Sequence, residues 1–179
     1  MADWSQEQYI KAYRFAAKAH HGQTITGSNL PYVMHVTLVC MEVIATFRVE
    51  TGLNEDLAAQ CALLHDTLED TATTYLQLES EFGTPVANGV LALSKDPAVA
   101  KHLQLEDSLR RIRLQPREIW MVKLADRITN LQPPPVRWSK QKIASYRQEA
   151  TQIHESLKAA SPALSGRLLA KIEAYNAHL

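Results

Sequence analysis

The segment ALLHDTLEDT, residues 62–71, places His65, Asp66, Glu69 and Asp70 inside an otherwise apolar, helix-like run. Three acids and an imidazole are costly to bury together unless they are paired or hold a metal. A divalent cation, with spare carboxylates beside it to handle a water molecule, is the simplest arrangement that satisfies them. On a helix, residues four apart share a face, so His65 stacks with Glu69 and Asp66 with Asp70. His65 and Asp66 are neighbours, about 100° apart around the helix axis. Both reach one ion only if it sits beside the helix, between their two directions, which leaves room for ligands from other helices.

Two further residues are candidates for those positions. His35, in PYVMHV, follows a loop and lies near the start of a second helical segment. Asp126 sits in VKLADRITN, a run whose apolar positions Ile119, Val122, Leu124, Ala125, Ile128 and Leu131 indicate a largely buried helix, and Asn130 shares the face of Asp126 one turn on. Two imidazoles and two carboxylates suit Mn²⁺, Fe²⁺ or Zn²⁺. Four protein ligands on a six-coordinate ion leave positions for water and substrate. The ion lowers the pKa of bound water and polarises a phosphoryl oxygen. Glu69 and Asp70 then orient or deprotonate that water, or protonate a leaving oxygen. Taken singly, each residue has an ordinary explanation: His65 as a satisfied core histidine, Asp126 as a partner of Arg127 or Lys123, Asn130 as a helix-end residue. Their joint occurrence, in order and in apolar helices, favours the metal.

The elements that must position them read as helices. Residues 5–20 form an amphipathic helix started by Ser5 with Gln8 in a capping box, with Tyr9, Ile10, Tyr13, Phe15, Ala16 and Ala17 at its apolar positions. The segment HGQTITGSNLPY is a loop. Helices are predicted over about 33–49 and 56–69, then after Thr74 to near Gly83, and from Thr84-Pro85 as N-cap and first helical residue. Residues 101–113, 117–131, about 139–158 and a last segment after Ser161-Pro162 complete the series. No strand alternation or hairpin signal appears. The fold class is all-α: a single domain over 1–179, a bundle of about eight to ten helices.

Bulk properties agree. A chain of 179 residues, 46% apolar, suits one domain with a sizeable core. Lys plus Arg and Asp plus Glu number 19 each, a balance that argues against a general nucleic-acid binder. Cys40 and Cys61 lie in apolar helical patterns and read as buried, reduced thiols. Asp3, Glu7, Lys11 and Arg14 argue against a signal peptide. No stretch approaches ~18 consecutive apolar residues, so no membrane span is expected, and a cytoplasmic protein is the default expectation.

The separated His, His-Asp, Asp set resembles the HD phosphohydrolase superfamily. AAKAHHGQ, PYVMH, ALLHDTLEDT and VKLADRITNL together resemble the hydrolase domain of RelA/SpoT-type alarmone enzymes, over about residues 8–158. With no synthetase or regulatory region in the chain, it is similar to the stand-alone small alarmone hydrolases, the metazoan SpoT homologs. The resemblance implies an all-helical HD domain using Mn²⁺ to remove pyrophosphate from the 3′ position of (p)ppGpp, giving GDP or GTP. It implies His35, His65, Asp66 and Asp126 as metal ligands and Glu69 and Asp70 as the acidic pair that positions the attacking water. By the same resemblance Asn130 contacts the nucleotide and Tyr146 lines its pocket.

One departure stands out. The loop before PYxxH carries an Arg-Lys pair in the family, where this chain has Thr24 and Ile25. Arg stacks on a purine and Thr does not. An adenine alarmone, (p)ppApp, or another 2′- or 3′-phosphorylated nucleotide therefore joins ppGpp as a candidate substrate. Lys95, Lys101, Arg110, Arg111, Arg113, Arg117, Lys123 and Arg127 form a basic stretch. Most are expected to be a solvated face partnered by Glu106 and Asp107, with Lys95 or Lys101 reaching substrate phosphates. His20, His21, His102, His154 and His178 have no motif context and read as surface residues. Two rivals remain: a phosphatase for another nucleotide, such as the 2′-phosphate of NADPH, and a metal-stabilised module that senses alarmone without cleaving it.

Overall fold

Ser5 begins the first helix, α1 (Gln6–Ala19), by accepting the Gln8 N–H on its side chain. The computed structural model describes residues 4–179, so Asp3 of the N-terminal charge pattern lies outside the described residues. The buried face of α1 is Ala12 and Ala16, while Ile10 and Tyr13, expected to point inward, are partly exposed. Small inward residues let α1 lie close on the helix that carries His65.

α2 (Val33–Thr46) crosses the centre of the molecule and buries Val36, Val39, Cys40 and Val43. It ends earlier than the predicted 49, where the N–H groups of Val49 and Glu50 both turn back onto the Thr46 carbonyl. α3 (Glu55–Leu64) is capped by Asn54, whose side chain accepts the Leu57 N–H. Every residue of α3 from Leu57 to Leu64 is buried.

The predicted continuous helix over 56–69 is broken. α3 stops at Leu64, and a four-residue helix, α4 (Thr67–Asp70), follows. Side chains compete with the backbone ladder here: His65 Nδ1 lies 2.8 Å from the Ala62 carbonyl, and Thr67 Oγ1 donates to the Leu64 carbonyl at 2.7 Å. Asp66, between them, has φ −97° and ψ −1°, a sparsely populated region where functional residues recur.

α5 (Tyr75–Phe82) opens with the predicted Thr74/Gln77 capping box. α6 (Thr84–Leu93) is capped by Gly83, not Thr84, which is the first helical residue and donates its hydroxyl to Glu79. Gly83, at φ +83°, closes α5 and opens α6 in one residue, a conformation that suits glycine. α7 (Gln104–Ile112), α8 (Arg117–Asn130), α9 (Lys140–Leu157) and α10 (Pro162–Ala174) follow, with short 3₁₀ turns at Lys158–Ala160 and Tyr175–His178. Among the described residues there is no strand, only an isolated bridge between Thr24 and Pro31 across the neck of the loop. No helix there is long and apolar enough to cross a membrane.

α2 packs on α3 and α8, α1 on α3, and α10 on α8. α8 is buried on most of its circumference through Ile119, Met121, Val122, Leu124, Ala125 and Ile128. The buried side chains of these helices form one core. Arg167 of α10 grips buried Glu42 of α2 with Nε and Nη2. Cys40 and Cys61 are free and buried, as expected, and burial pushes the Cys40 thiol up to about 12.

Two histidines expected at the surface are buried. His154 bridges to Ser165 of α10 through Nε2 at 3.0 Å. His20, 3% exposed, ends α1 against the ring of Tyr32.

Candidate metal centre

The break between α3 and α4 turns His65 and Asp66 toward one point. His65 Nε2 lies 3.0 Å from Asp66 Oδ2 and 3.7 Å from Asp126 Oδ1. His35, from the first turn of α2, brings Nε2 to 3.6 Å from Asp66 Oδ2 and 3.5 Å from Asp126 Oδ1. Ligand atoms of His35, His65 and Asp126 all lie within 4.8 Å of one another, and Asp66 stands beside both imidazoles. The four side chains predicted as ligands therefore converge from two helices, α2 and α8, and the α3–α4 break.

The donor set fits a cation. His65 Nδ1 is engaged by the Ala62 carbonyl, which leaves the lone pair on Nε2 directed into the cluster. That Nε2 is buried and, among the described residues, has no hydrogen-bond partner. Burial pulls the pKa of His65 down, but Asp66 and Asp126 outweigh it and hold the imidazole well above its ordinary value. Burial pushes Asp126 up, but Lys123, His35 and His65 outweigh it and hold the carboxyl well below the usual range. Asp66 is held low in the same way, chiefly by His65. The two acids draw positive charge into the cluster, and a divalent cation meets that demand while using the imidazole lone pairs.

The acidic pair lies at the rim. Glu69 accepts the Lys95 backbone N–H at 2.9 Å and pairs with Lys95 Nζ at 2.6 Å. Burial, then Asp66, then Glu69 raise the pKa of Asp70. Asn130 donates to Asp126 Oδ1 at 2.5 Å and is otherwise exposed. Lys123, one turn before Asp126, binds its other oxygen at 3.1 Å. So both ordinary explanations of Asp126 and Asn130 hold alongside the cluster.

Behind Asp126, the Tyr146 ring carries the Arg127 guanidinium at 4.4 Å and packs edge-on to Trp138 at 5.1 Å. Burial pushes the Tyr146 hydroxyl up to about 12. Arg127 is itself buried, contrary to the solvated-face expectation. Arg110 and Arg111 meet that expectation by pairing with Asp107. Lys95 is brought to the site. Lys101 lies exposed in a turn, and no hydrogen bond or ion pair ties it to the cluster. Thr24 sits exposed on the loop neck, bridged to Pro31.

The sequence reading missed Tyr32, whose hydroxyl donates to Asp66 Oδ2 at 2.6 Å. A signal was present: Tyr32 precedes His35 by three residues, the spacing that puts two side chains on one helical face.

Comparison with known proteins gives the family. Residues 12–162 match the HD domain family. The guanosine-3′,5′-bis(diphosphate) 3′-pyrophosphohydrolase MESH1 of Xenopus tropicalis is 30% identical over 164 residues, covering 89% of each chain. This chain belongs to the HD domain family, alongside the MESH1 enzymes. Human MESH1 is 31% identical over 163 residues, covering 84% of this chain and 85% of its own. The bifunctional (p)ppGpp synthase/hydrolase SpoT of Escherichia coli is 37% identical over 128 residues, which are 17% of its length. The solved structure of a metazoan ortholog of SpoT superposes with a TM-score of 0.83 over 99% of both chains at 22% identity, and so shares the fold. HD domains are metal-dependent, and the buried His and Asp cluster is where this one would hold its ion.

Proposed function

We propose that this HD-domain chain hydrolyses the 3′-diphosphate of (p)ppGpp-like nucleotides, releasing pyrophosphate and leaving GDP or GTP. The observation that carries it is the convergence of His35, His65, Asp66 and Asp126 on one point with Glu69 and Asp70 at its rim. The 30% identity with MESH1 across most of both chains supports the same reaction.

The four ligands would hold Mn²⁺, which supplies Lewis acidity toward the phosphoryl oxygens and a water of lowered pKa. This chain's own residues do the rest. Asp70 and Glu69 orient the attacking water and accept its proton. The water oxygen bonds to the phosphorus attached to the ribose 3′ oxygen, and the bond from that phosphorus to the 3′ oxygen breaks. The 3′ oxygen takes a proton and the diphosphate departs with the water oxygen. Lys95 places a positive charge at the rim, where the distal phosphates need one. By the same reading Tyr146, Asn130 and the Thr24 loop would contact the nucleoside.

A second reading concerns the base. Thr24 and Ile25 offer no cation to stack on guanine or to pair with its edge, which supports (p)ppApp as an alternative substrate of the same chemistry. Chromatographic product analysis of the Mn²⁺-loaded protein with ppGpp, ppApp and NADPH, each alone, tests both readings. Pyrophosphate with GDP or ADP is expected. Inorganic phosphate from NADPH alone, or binding without turnover, would replace the proposal with a different phosphatase or a sensor.

A further inference from the structure

Loop 21–32, which approaches the cluster from outside, is tied to the catalytic acids by a chain of specific contacts. The Tyr32 hydroxyl donates to Asp66 Oδ2 at 2.6 Å and stands 3.5 Å from Asp70 Oδ2. It therefore lies between a metal ligand and one member of the water-handling pair. Gln23, at the other side of the loop neck, donates through Nε2 to the Asp70 backbone carbonyl at 2.7 Å. Its own carbonyl accepts the Tyr32 N–H at 3.0 Å. His20 closes the bracket: Nδ1 donates to Gln23 Oε1 at 2.7 Å, and the ring packs on Tyr32 with centroids 4.8 Å apart.

We infer that Tyr32 and Gln23, backed by His20, are positioning residues that set Asp66 and Asp70 at a fixed separation from each other and from the metal. The inference rests on the proposed phosphohydrolase reading and adds residues to its site. Three physical points support it. α4 is only four residues long and ties Asp70 by its N–H to the Asp66 carbonyl at 2.9 Å, a lone turn that needs support from outside. The Asp70 carbonyl lies at a helix end, where no intrahelical donor is available, and Gln23 supplies one. An oxygen of Asp66 that accepts a hydroxyl hydrogen bond has a fixed orientation, the usual means by which outer groups aim metal-ligating carboxylates. The motif AAKAHHGQ, whose last four residues end α1 and enter the loop, thereby gains a physical role: His20 and Gln23 are the two of its side chains that reach the site.

Two variants of the full chain test the inference: Tyr32→Phe, which keeps the ring and removes the hydroxyl, and Gln23→Ala. Mn²⁺ affinity is measured by titration calorimetry, kcat and KM on ppGpp by product chromatography, and folding by thermal melt. Tyr32→Phe is expected to weaken Mn²⁺ binding about 10-fold and to lower kcat by about 10- to 100-fold, with KM changed less than about threefold and the melt cooperative. Gln23→Ala is expected to lower kcat with Mn²⁺ affinity unchanged, because it releases Asp70 alone. Wild-type Mn²⁺ affinity and kcat in Tyr32→Phe would overturn the inference, as would losses confined to KM in both variants. If the wild-type chain turns over no alarmone, the proposed function fails separately. The calorimetry still decides the inference: equal affinities for wild type and Tyr32→Phe overturn it, and a weakened variant sustains it.

Discussion

His65 and Asp66 are consecutive in the chain, yet His65 Nε2 and Asp66 Oδ2 lie 3.0 Å apart and face the same point. Side chains of adjacent residues in a regular helix diverge by about 100°. The pair converges because α3 ends at Leu64 and Asp66 adopts a non-helical ψ near 0° before α4 begins. The broken helix is thus a condition of the cluster, and the hydrogen bonds of His65 and Thr67 to the preceding carbonyls hold the break.

Removing either carboxylate should therefore abolish the ion's site. Asp66→Ala and Asp126→Ala are expected to lower kcat/KM on the alarmone substrate by at least about 10³-fold, the scale of losing the group that generates the nucleophile. Mn²⁺ binding by calorimetry should fall below detection in both. Near-wild-type hydrolysis by either variant in the presence of Mn²⁺ would remove the metal mechanism.

Adding the ion should stabilise the fold, because the ligands come together only in the native state. At a free Mn²⁺ concentration about 100 times Kd, the linkage contribution is about 2.7 kcal/mol. For a domain of this size that raises Tm by roughly 5–10 °C. Excess EDTA should reverse the rise, and Asp126→Ala should show none. A melt insensitive to Mn²⁺ and EDTA in the wild-type chain would contradict the assignment of the cluster.

The packing beneath the site gives a stability prediction independent of the metal. Gly89 of α6 is buried, and a Cβ there would stand 2.5 Å from Ile119 Cδ1 and 2.8 Å from Cys61 Sγ. Gly89 thus marks a close approach of α6 to α3 and α8. Gly89→Val is expected to destabilise the protein by about 1–3 kcal/mol through overpacking. The result should be a Tm several degrees lower, while Mn²⁺ affinity at the native temperature is kept. An unchanged Tm would mean that Ile119 repacks freely.

Much of this was legible in the residues because helices announce themselves locally. Ser5, Thr74 and Ser161 each cap the helix that their spacing indicated, and the apolar run around Asp126 is buried as its pattern required. The convergence of His35, His65, Asp66 and Asp126 was legible for a related reason: charged groups inside apolar helical runs need a common partner. The break at His65 was not, since it arises from side-chain competition for two carbonyls that periodicity does not encode. His20 and Arg127 were misplaced at the surface because their burial depends on rings, Tyr32 and Tyr146, brought from other elements. Tertiary packing decides such positions, and no local pattern reports it.

Lys95 separates two roles that its contacts alone leave together. Its ammonium pairs with Glu69 at 2.6 Å, but the side chain is 56% exposed, so the pair itself contributes little. Glu69 also keeps the Lys95 backbone N–H at 2.9 Å, a donor that no side-chain substitution removes. Lys95→Met should consequently leave Glu69 in place and remove only the mobile charge at the rim. Charge-assisted hydrogen bonds to a phosphate are worth about 1.5–3 kcal/mol, so KM for the 3′-diphosphate substrate is expected to rise by about 10- to 100-fold while kcat changes less than about threefold. The rise should shrink as salt is added, because screening weakens the charge in the wild-type enzyme but has nothing to act on in the variant. A fall in kcat with KM unchanged would instead make Lys95 a support for Glu69 and leave the distal phosphates to other residues.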